Sequence, residues 1–258
     1  MTVTIAISGK GGVGKTTFAA LAVRCLVEDV GRSVLAVDAD PNATLGPMLG
    51  VDPEATVADF REETLEKKDN IPGGMSKDRF VQYRIAQAIA EEAGFDLLTM
   101  GRPEGPGCYC FVNSVLRRYL DQAAEDYAFV VIDNEAGMEH LSRRTTNAVD
   151  VLFVVTEATV IGAETAARIA ELARGLPIAV KRTVVVLNRV PPAGISPEVQ
   201  ERLDGADLDV VGRIPVDEQI LMSAASGQSL RDLPRENPMF ATVRDVLATE
   251  LNLSVAAG

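Results

Sequence analysis

The sequence predicts a single α/β domain over residues 1–258, three layers deep, on a mostly parallel sheet covered by helices. Three observations predict it. Short apolar runs alternate with helical patterns along the chain. Several runs are continuous and rich in β-branched residues, such as Phe129-Val130-Val131-Ile132 and Thr183-Val184-Val185-Val186-Leu187. Continuous apolarity means burial on both faces, which parallel strands have and half-exposed antiparallel strands lack. The first run also opens onto a glycine-rich loop and then a helix, a unit typical of doubly wound sheets.

The elements follow in order. Val3–Ser8 is the first strand, and the apolar pattern from Phe18 to Leu26 places a helix over 15–29. Ser33–Asp38 is the second strand. Residues 50–80, with Pro72-Gly73-Gly74, form the least regular stretch and are expected to be mobile. A helix over 77–93 then leads to a strand at Leu97–Met100, and a helix over 112–125 leads to Phe129–Asp133. Helices over 140–148, 160–174, 196–203 and 217–226 alternate with strands Val151–Thr156, Thr183–Asn188 and Val210–Arg213. A terminal helix covers 237–252.

Composition removes several classes of function. The net charge of −12 opposes a surface that holds nucleic acid or anionic lipid by electrostatics. No apolar run is long enough to span a membrane, and the N-terminus reads as a strand rather than a signal peptide. Three Cys without a paired framework point to a reducing cytoplasm. With no Trp and 5% aromatics, the core must be aliphatic.

Ligands of such sheets gather beyond the carboxyl ends of the strands, so those ends carry the candidate site. Gly9-Lys10-Gly11-Gly12-Val13-Gly14-Lys15-Thr16-Thr17 has the form of a phosphate-binding loop. Its glycines let backbone N–H groups converge on phosphate oxygens, Lys15 can reach the β- and γ-phosphates, and the Thr16 hydroxyl can ligate Mg²⁺. Asp38 and Asp40 end the second strand; Asp40 suits either a cation and water site or a helix cap. Val130-Val131-Ile132-Asp133 reads as an apolar strand ending in an acid that holds Mg²⁺ through water. Gly137 leaves backbone room near a γ-phosphate, and Glu135 suits either a metal contact or a cap. Asn188-Arg189 and Pro215-Val216-Asp217 are of the kind that touch a purine, although turn formation explains such residues as well.

Cys108 and Cys110 stand two residues apart in a Gly- and Pro-rich loop, Gly105-Pro106-Gly107-Cys108-Tyr109-Cys110. Loop thiols are poor core residues, whereas Cys25 lies on the apolar face of the first helix and reads as buried and inert. Two thiolates leave a soft metal under-coordinated. A two-fold dimer would bring four to one axis, a set that suits Zn²⁺ or Ni²⁺. His140, the only histidine, suits a metal ligand or, more commonly, a structural role.

The lysine at position 10 makes the loop resemble the deviant Walker A motif of MinD/ParA-type ATPases. The resemblance implies an ATP- and Mg²⁺-dependent ATPase in which Lys15 serves its own site and Lys10 reaches the partner's nucleotide across a dimer. It also places Asp40 as the water-orienting acid of switch I, Asp133–Gly137 as switch II, and Asn188 with Pro215–Asp217 at adenine. The Cys-Tyr-Cys segment, with Asp133-Asn134-Glu135-Ala136-Gly137-Met138-Glu139-His140, further resembles the CooC-type accessory proteins of carbon monoxide dehydrogenase maturation. That implies a homodimer binding Ni²⁺ (or Zn²⁺) through Cys108 and Cys110, with carbon monoxide dehydrogenase as acceptor and no nucleic-acid or membrane partner. Alternatives are maturation of acetyl-CoA synthase, a partitioning or positioning ATPase, and an iron–sulfur-carrying ATPase.

Overall fold

The structure is a computed structural model that describes residues 2–60, 75–102, 126–135 and 148–253. Their strands are β1 Val3–Ser8, β2 Val34–Ala39, β3 Ile89–Glu92, β4 Phe95–Thr99, β5 Phe129–Asn134, β6 Ala148–Glu157, β7 Ala179–Val190 and β8 Val210–Pro215. The helices are α1 Lys15–Glu28, α2 Leu45–Leu49, α3 Lys77–Gln87, α4 Val160–Gly175, α5 Pro197–Gly205, α6 Glu218–Ser226 and α7 Pro238–Glu250. One sheet joins all eight strands in the order β3-β4-β2-β5-β1-β6-β7-β8. Every neighbouring pair is parallel except β3–β4. β1 lies between β5 and β6, so the loop after it sits where the chain's winding reverses, the position at which such sheets bind ligands.

Alternation within each strand divides the core into layers. Ile5, Ile7, Ala36, Val131, Phe153 and Val186 face α1 and α7 and pack on Phe18, Leu21, Phe240 and Val243. On the other face, Leu152, Val154, Val185 and Leu187 lie under α4 and α5. Leu35, Val37, Leu98, Val130 and Ile132 lie under α3. α1 is buried along nearly its whole length because α2 and α7 cover the side turned from the sheet. It therefore lacks the polar outer face of an ordinary surface helix.

Three boundaries differ from expectation by three residues or more. The helix expected over 77–93 ends at Gln87. Ile89–Glu92 instead folds back on β4 as an antiparallel edge strand, with Glu92 opposite Phe95 and Ala93-Gly94 as the turn. A two-residue turn ending in glycine closes a hairpin, and tertiary pairing overrides a local helical pattern. β6 begins at Ala148, three residues before the expected Val151, and β7 begins at Ala179 rather than Thr183, because the two strands pair over their whole length. Leu45–Leu49 forms a short helix after switch I. The helix expected over 112–125 lies outside the described residues. So does that over 140–148, save Ala148, and so do residues 61–74 of the irregular stretch.

Candidate nucleotide-binding site

The loop between β1 and α1 is shaped by close backbone approaches. A Cβ at Gly9 would stand 2.2 Å from the Val155 carbonyl oxygen of β6, so a side chain there has no room. Gly14, the N-cap of α1, has φ +97, and a Cβ on it would meet Asn188 Nδ2 at 2.4 Å. No side chain caps α1, and its first turn carries no acid. The first N–H groups of a long helix therefore face the loop without a side-chain acceptor among the described residues, the arrangement that holds anions. Lys15 is buried beneath the loop and donates from Nζ to the Lys10 carbonyl at 3.3 Å. Lys10 itself is exposed, as are Gly11 and Gly12, while Val13 is buried. Thr16 is half-buried, with Thr44 Oγ1 3.4 Å from its hydroxyl, and the Thr17 hydroxyl reaches Met48 Sδ at 3.9 Å.

The acids converge beside it. Asp38 and Asp133 are cross-strand partners on β2 and β5, and both are fully buried. Asp38 Oδ1 accepts from the Asp40 N–H at 3.2 Å and Oδ2 from the Leu45 N–H at 2.8 Å. Burial pushes the Asp38 carboxyl up to about 6, against the lowering effect of those N–H donors. Neither oxygen of Asp133 has a well-aligned hydrogen-bond partner among the described residues. Burial pushes it to about 7; the Thr16 hydroxyl and the Lys15 ammonium pull downward, while Asp38 and Asp40 add to the rise. Asp40 is half-buried, and its Oδ1 accepts from the backbone and side-chain amides of Asn42, at 2.9 and 2.8 Å. The contact with the first turn of α2 thus comes from Asp38, not Asp40.

Asn188 and its neighbours close the other side. Asn188 Nδ2 donates to the Val13 carbonyl at 2.8 Å, and Oδ1 accepts from the Arg189 N–H at 2.9 Å. Arg189, with φ +56, pairs with Glu157 at 2.7 Å. Pro215 ends β8 beside Val190, and Val216 is exposed. Asp217 caps α6 through the Ile220 N–H at 3.0 Å and accepts from Asn237 Nδ2 at 2.7 Å. Gly137, Cys108, Cys110 and His140 lie outside the described residues, and Glu135 ends the stretch before Gly137. Two buried polar residues were given no role of their own by the sequence reading. Asn134 donates from Nδ2 to the Ile7 carbonyl at 2.9 Å, and Thr99 ends β4 beside Asp38. Strand register marks Thr99, which stands in no recognisable motif, and the bond to Ile7 marks Asn134 within the Asp133–Gly137 segment.

Among the described residues no group of three His, Cys, Asp or Glu side chains could hold a metal ion alone. Mg²⁺ keeps several waters and takes one or two carboxylates with substrate phosphates. The unpartnered oxygens of Asp133 beside Thr16 fit it.

Residues 4–230 match the family described as the CobQ/CobB/MinD/ParA nucleotide binding domain. The chain belongs to this family. An uncharacterized ATP-binding protein of Methanocaldococcus jannaschii is 44% identical over 254 residues, 96% of this chain and 98% of that one. The carbon monoxide dehydrogenase accessory protein CooC of Rhodospirillum rubrum is 36% identical over 245 residues, 89% of each chain. Among solved structures, the cell division ATPase MinD of Pyrococcus furiosus superposes with a TM-score of 0.70 at 24% identity, covering 98% of this chain and 99% of that one. The MinD of Pyrococcus horikoshii, complexed with Mg-ADP, gives 0.67 at 22%, covering 96% of each. The fold is that of the MinD/ParA-like P-loop ATPases, and the protein is an ATP-binding member of that family. Among the described residues no helix is long and apolar enough to cross a membrane.

Proposed function

We propose that this ATPase is a dimeric, cytoplasmic metallochaperone that takes Ni²⁺ as cargo on Cys108 and Cys110 of two subunits and passes it to the Ni–Fe–S cluster of carbon monoxide dehydrogenase. The observation that carries the reading is the 36% identity with CooC along 89% of both chains, in a sequence that holds a Cys-x-Cys pair. Geometry supports it as well. β4, which leads toward those cysteines, is the parallel neighbour of β2, which ends in Asp38 and Asp40. Met100, which continues toward those cysteines in sequence, leaves the sheet with its N–H on the Asp38 carbonyl.

The residues take distinct parts. The loop N–H groups and Lys15 bind and orient the β- and γ-phosphates of ATP. Thr16 and Asp133 would hold Mg²⁺, and Asp38 supports them from the next strand. When bound, the cation neutralises phosphate charge. Asp40 orients the attacking water, and Lys10 of the partner adds positive charge at the γ-phosphate only when two subunits close. Asn188, Arg189 and Pro215–Asp217 flank the purine. Thiolates bind metal only when deprotonated, so Ni²⁺ (or Zn²⁺) affinity falls with acidification.

The test is stoichiometric metal binding with sedimentation. Cys108→Ser with Cys110→Ser loses Ni²⁺ binding and keeps ATP binding, and the wild type dimerises with an ATP analogue or Ni²⁺. Unchanged nickel uptake in the variant, a monomer in every state, or iron in place of nickel in the isolated protein rejects the reading.

A further inference from the structure

Thr99 is fully buried at the end of β4, and its hydroxyl has no hydrogen-bond partner among the described residues. An unpaired buried hydroxyl destabilises a fold, and valine fills the same space in a strand at no such cost. The hydroxyl is therefore unexplained by packing in the ligand-free protein. Thr99 is the cross-strand partner of Asp38, which is in turn the partner of Asp133. Parallel neighbours in register stand about 4.8 Å apart and turn their side chains to one face. Leu97, two residues before Thr99, packs in the same layer as Ala36 and Val131, which precede Asp38 and Asp133 by two. Thr99, Asp38 and Asp133 thus form a polar row across three strands on the face that α1 covers. A backbone bond from the Met100 N–H to the Asp38 carbonyl, 2.9 Å, fixes the spacing.

Asp38 accepts from the N–H groups of Asp40 and Leu45, with that of Gly46 also acting on it, and all three belong to the segment that carries Asp40. Those donors move with the segment, so any closing of it on a γ-phosphate would draw them away from Asp38. A carboxylate has room for about four hydrogen bonds, and rotation about one bond, χ1 of Thr99, offers it another donor.

We propose that Thr99 is a positioning residue of the ATPase: in the ATP-loaded state its hydroxyl donates to the Asp38 carboxylate and keeps that acid in place while the 40–45 segment closes on the phosphates. Thr99 touches neither nucleotide nor water and acts through Asp38. The inference rests on the ATPase assignment and not on the nickel reading.

The experiment compares Thr99→Val and Thr99→Ser in the full chain. Thr99→Val keeps or raises the melting temperature of the ligand-free protein, because it removes an unpaired polar group. The same variant loses part of the stabilisation that ATP with Mg²⁺ confers. Its kcat falls about tenfold, the effect of one lost hydrogen bond to a charged group. Thr99→Ser, which keeps the hydroxyl, restores kcat. Wild-type kcat in Thr99→Val overturns the proposal. So does a fall in ligand-free melting temperature that parallels the fall in activity, or a Thr99→Ser variant as impaired as Thr99→Val.

Discussion

The two ends of the sheet treat polar side chains in opposite ways. At the amino ends of the strands, charges meet partners. Asp150 accepts from the Thr4 N–H at 2.7 Å and pairs with Lys181 at 2.6 Å. Arg182 bridges Glu250 at 2.5 Å and Asp209 at 3.3 Å, and the Tyr127 hydroxyl donates to Asp96. At the carboxyl ends, Asp133, Asn134 and Thr99 are buried with polar atoms that bond to nothing among the described residues. Burying an unpartnered polar group is unfavourable, and folding alone gives no reason to concentrate such groups at one end. The difference marks where stability gives way to ligand binding: the amino end is finished by the chain itself, and the carboxyl end leaves polar groups for a ligand, under the proposed function ATP and its cation.

The largest effect that tests this contrast comes from Lys15→Ala. Removing the ammonium beneath the loop is expected to weaken ATP binding by at least about 100-fold in titration calorimetry, as loss of a charge-assisted phosphate contact does. Normal affinity would show that the carboxyl end is not the nucleotide site. Asp133→Asn comes next. ATP turnover should fall by about two orders of magnitude or more, while the ligand-free protein melts no lower than wild type because an unpartnered buried acid has been neutralised. A drop in melting temperature typical of a core substitution would break the contrast.

The pH dependence of stability is a smaller effect of the same cause. Asp38 and Asp133 have folded-state values of about 6 and about 7, above the ordinary carboxylate value of 3.8. The folded chain therefore holds protons that the unfolded chain has released, so stability falls as pH rises from about 4 to 7 and levels off above. The two groups together remove on the order of a few kcal/mol across that range. Denaturant titrations of ligand-free wild type and Asp133→Asn should diverge in slope between pH 5 and 7, and identical slopes would refute the buried-acid account. The smallest effect is expected at the amino end. Arg182→Ala breaks an exposed pair with Asp209 and a second pair with the largely buried Glu250, and should cost about 1–2 kcal/mol, with ATP turnover unchanged. A loss of turnover there would mean that the two ends are coupled.

Much of this site was legible along the chain because it is local. Gly9–Thr17 lies in one loop, and Asp38 and Asp133 each end an apolar run, so residue type and position in a strand suffice to find them. The alternatives for Asp40 were not separable by pattern: a cap and a water-orienting acid look alike until the Leu45 N–H is seen on Asp38 instead. β3 was hidden for a related reason. Its residues continue a helical pattern, and only the hairpin with β4 outweighs it. Thr99 carried no signal at all, since a Thr after apolar residues is ordinary at any strand end, and Asn134 lay within the Asp133–Gly137 segment without a role of its own.

The amino-acid sequence by itself determined the fold class, the phosphate loop and the acids that face it, because each depends on contacts within a few residues or on burial patterns that repeat along the chain. The tertiary structure alone decided which strands lie side by side. That order places Asp133 between the loop and Asp38, and Thr99 beyond Asp38, joining residues nearly a hundred positions apart into one row. Strand order is set by how helices and edges cover one another across the whole sheet, and no local preference encodes it.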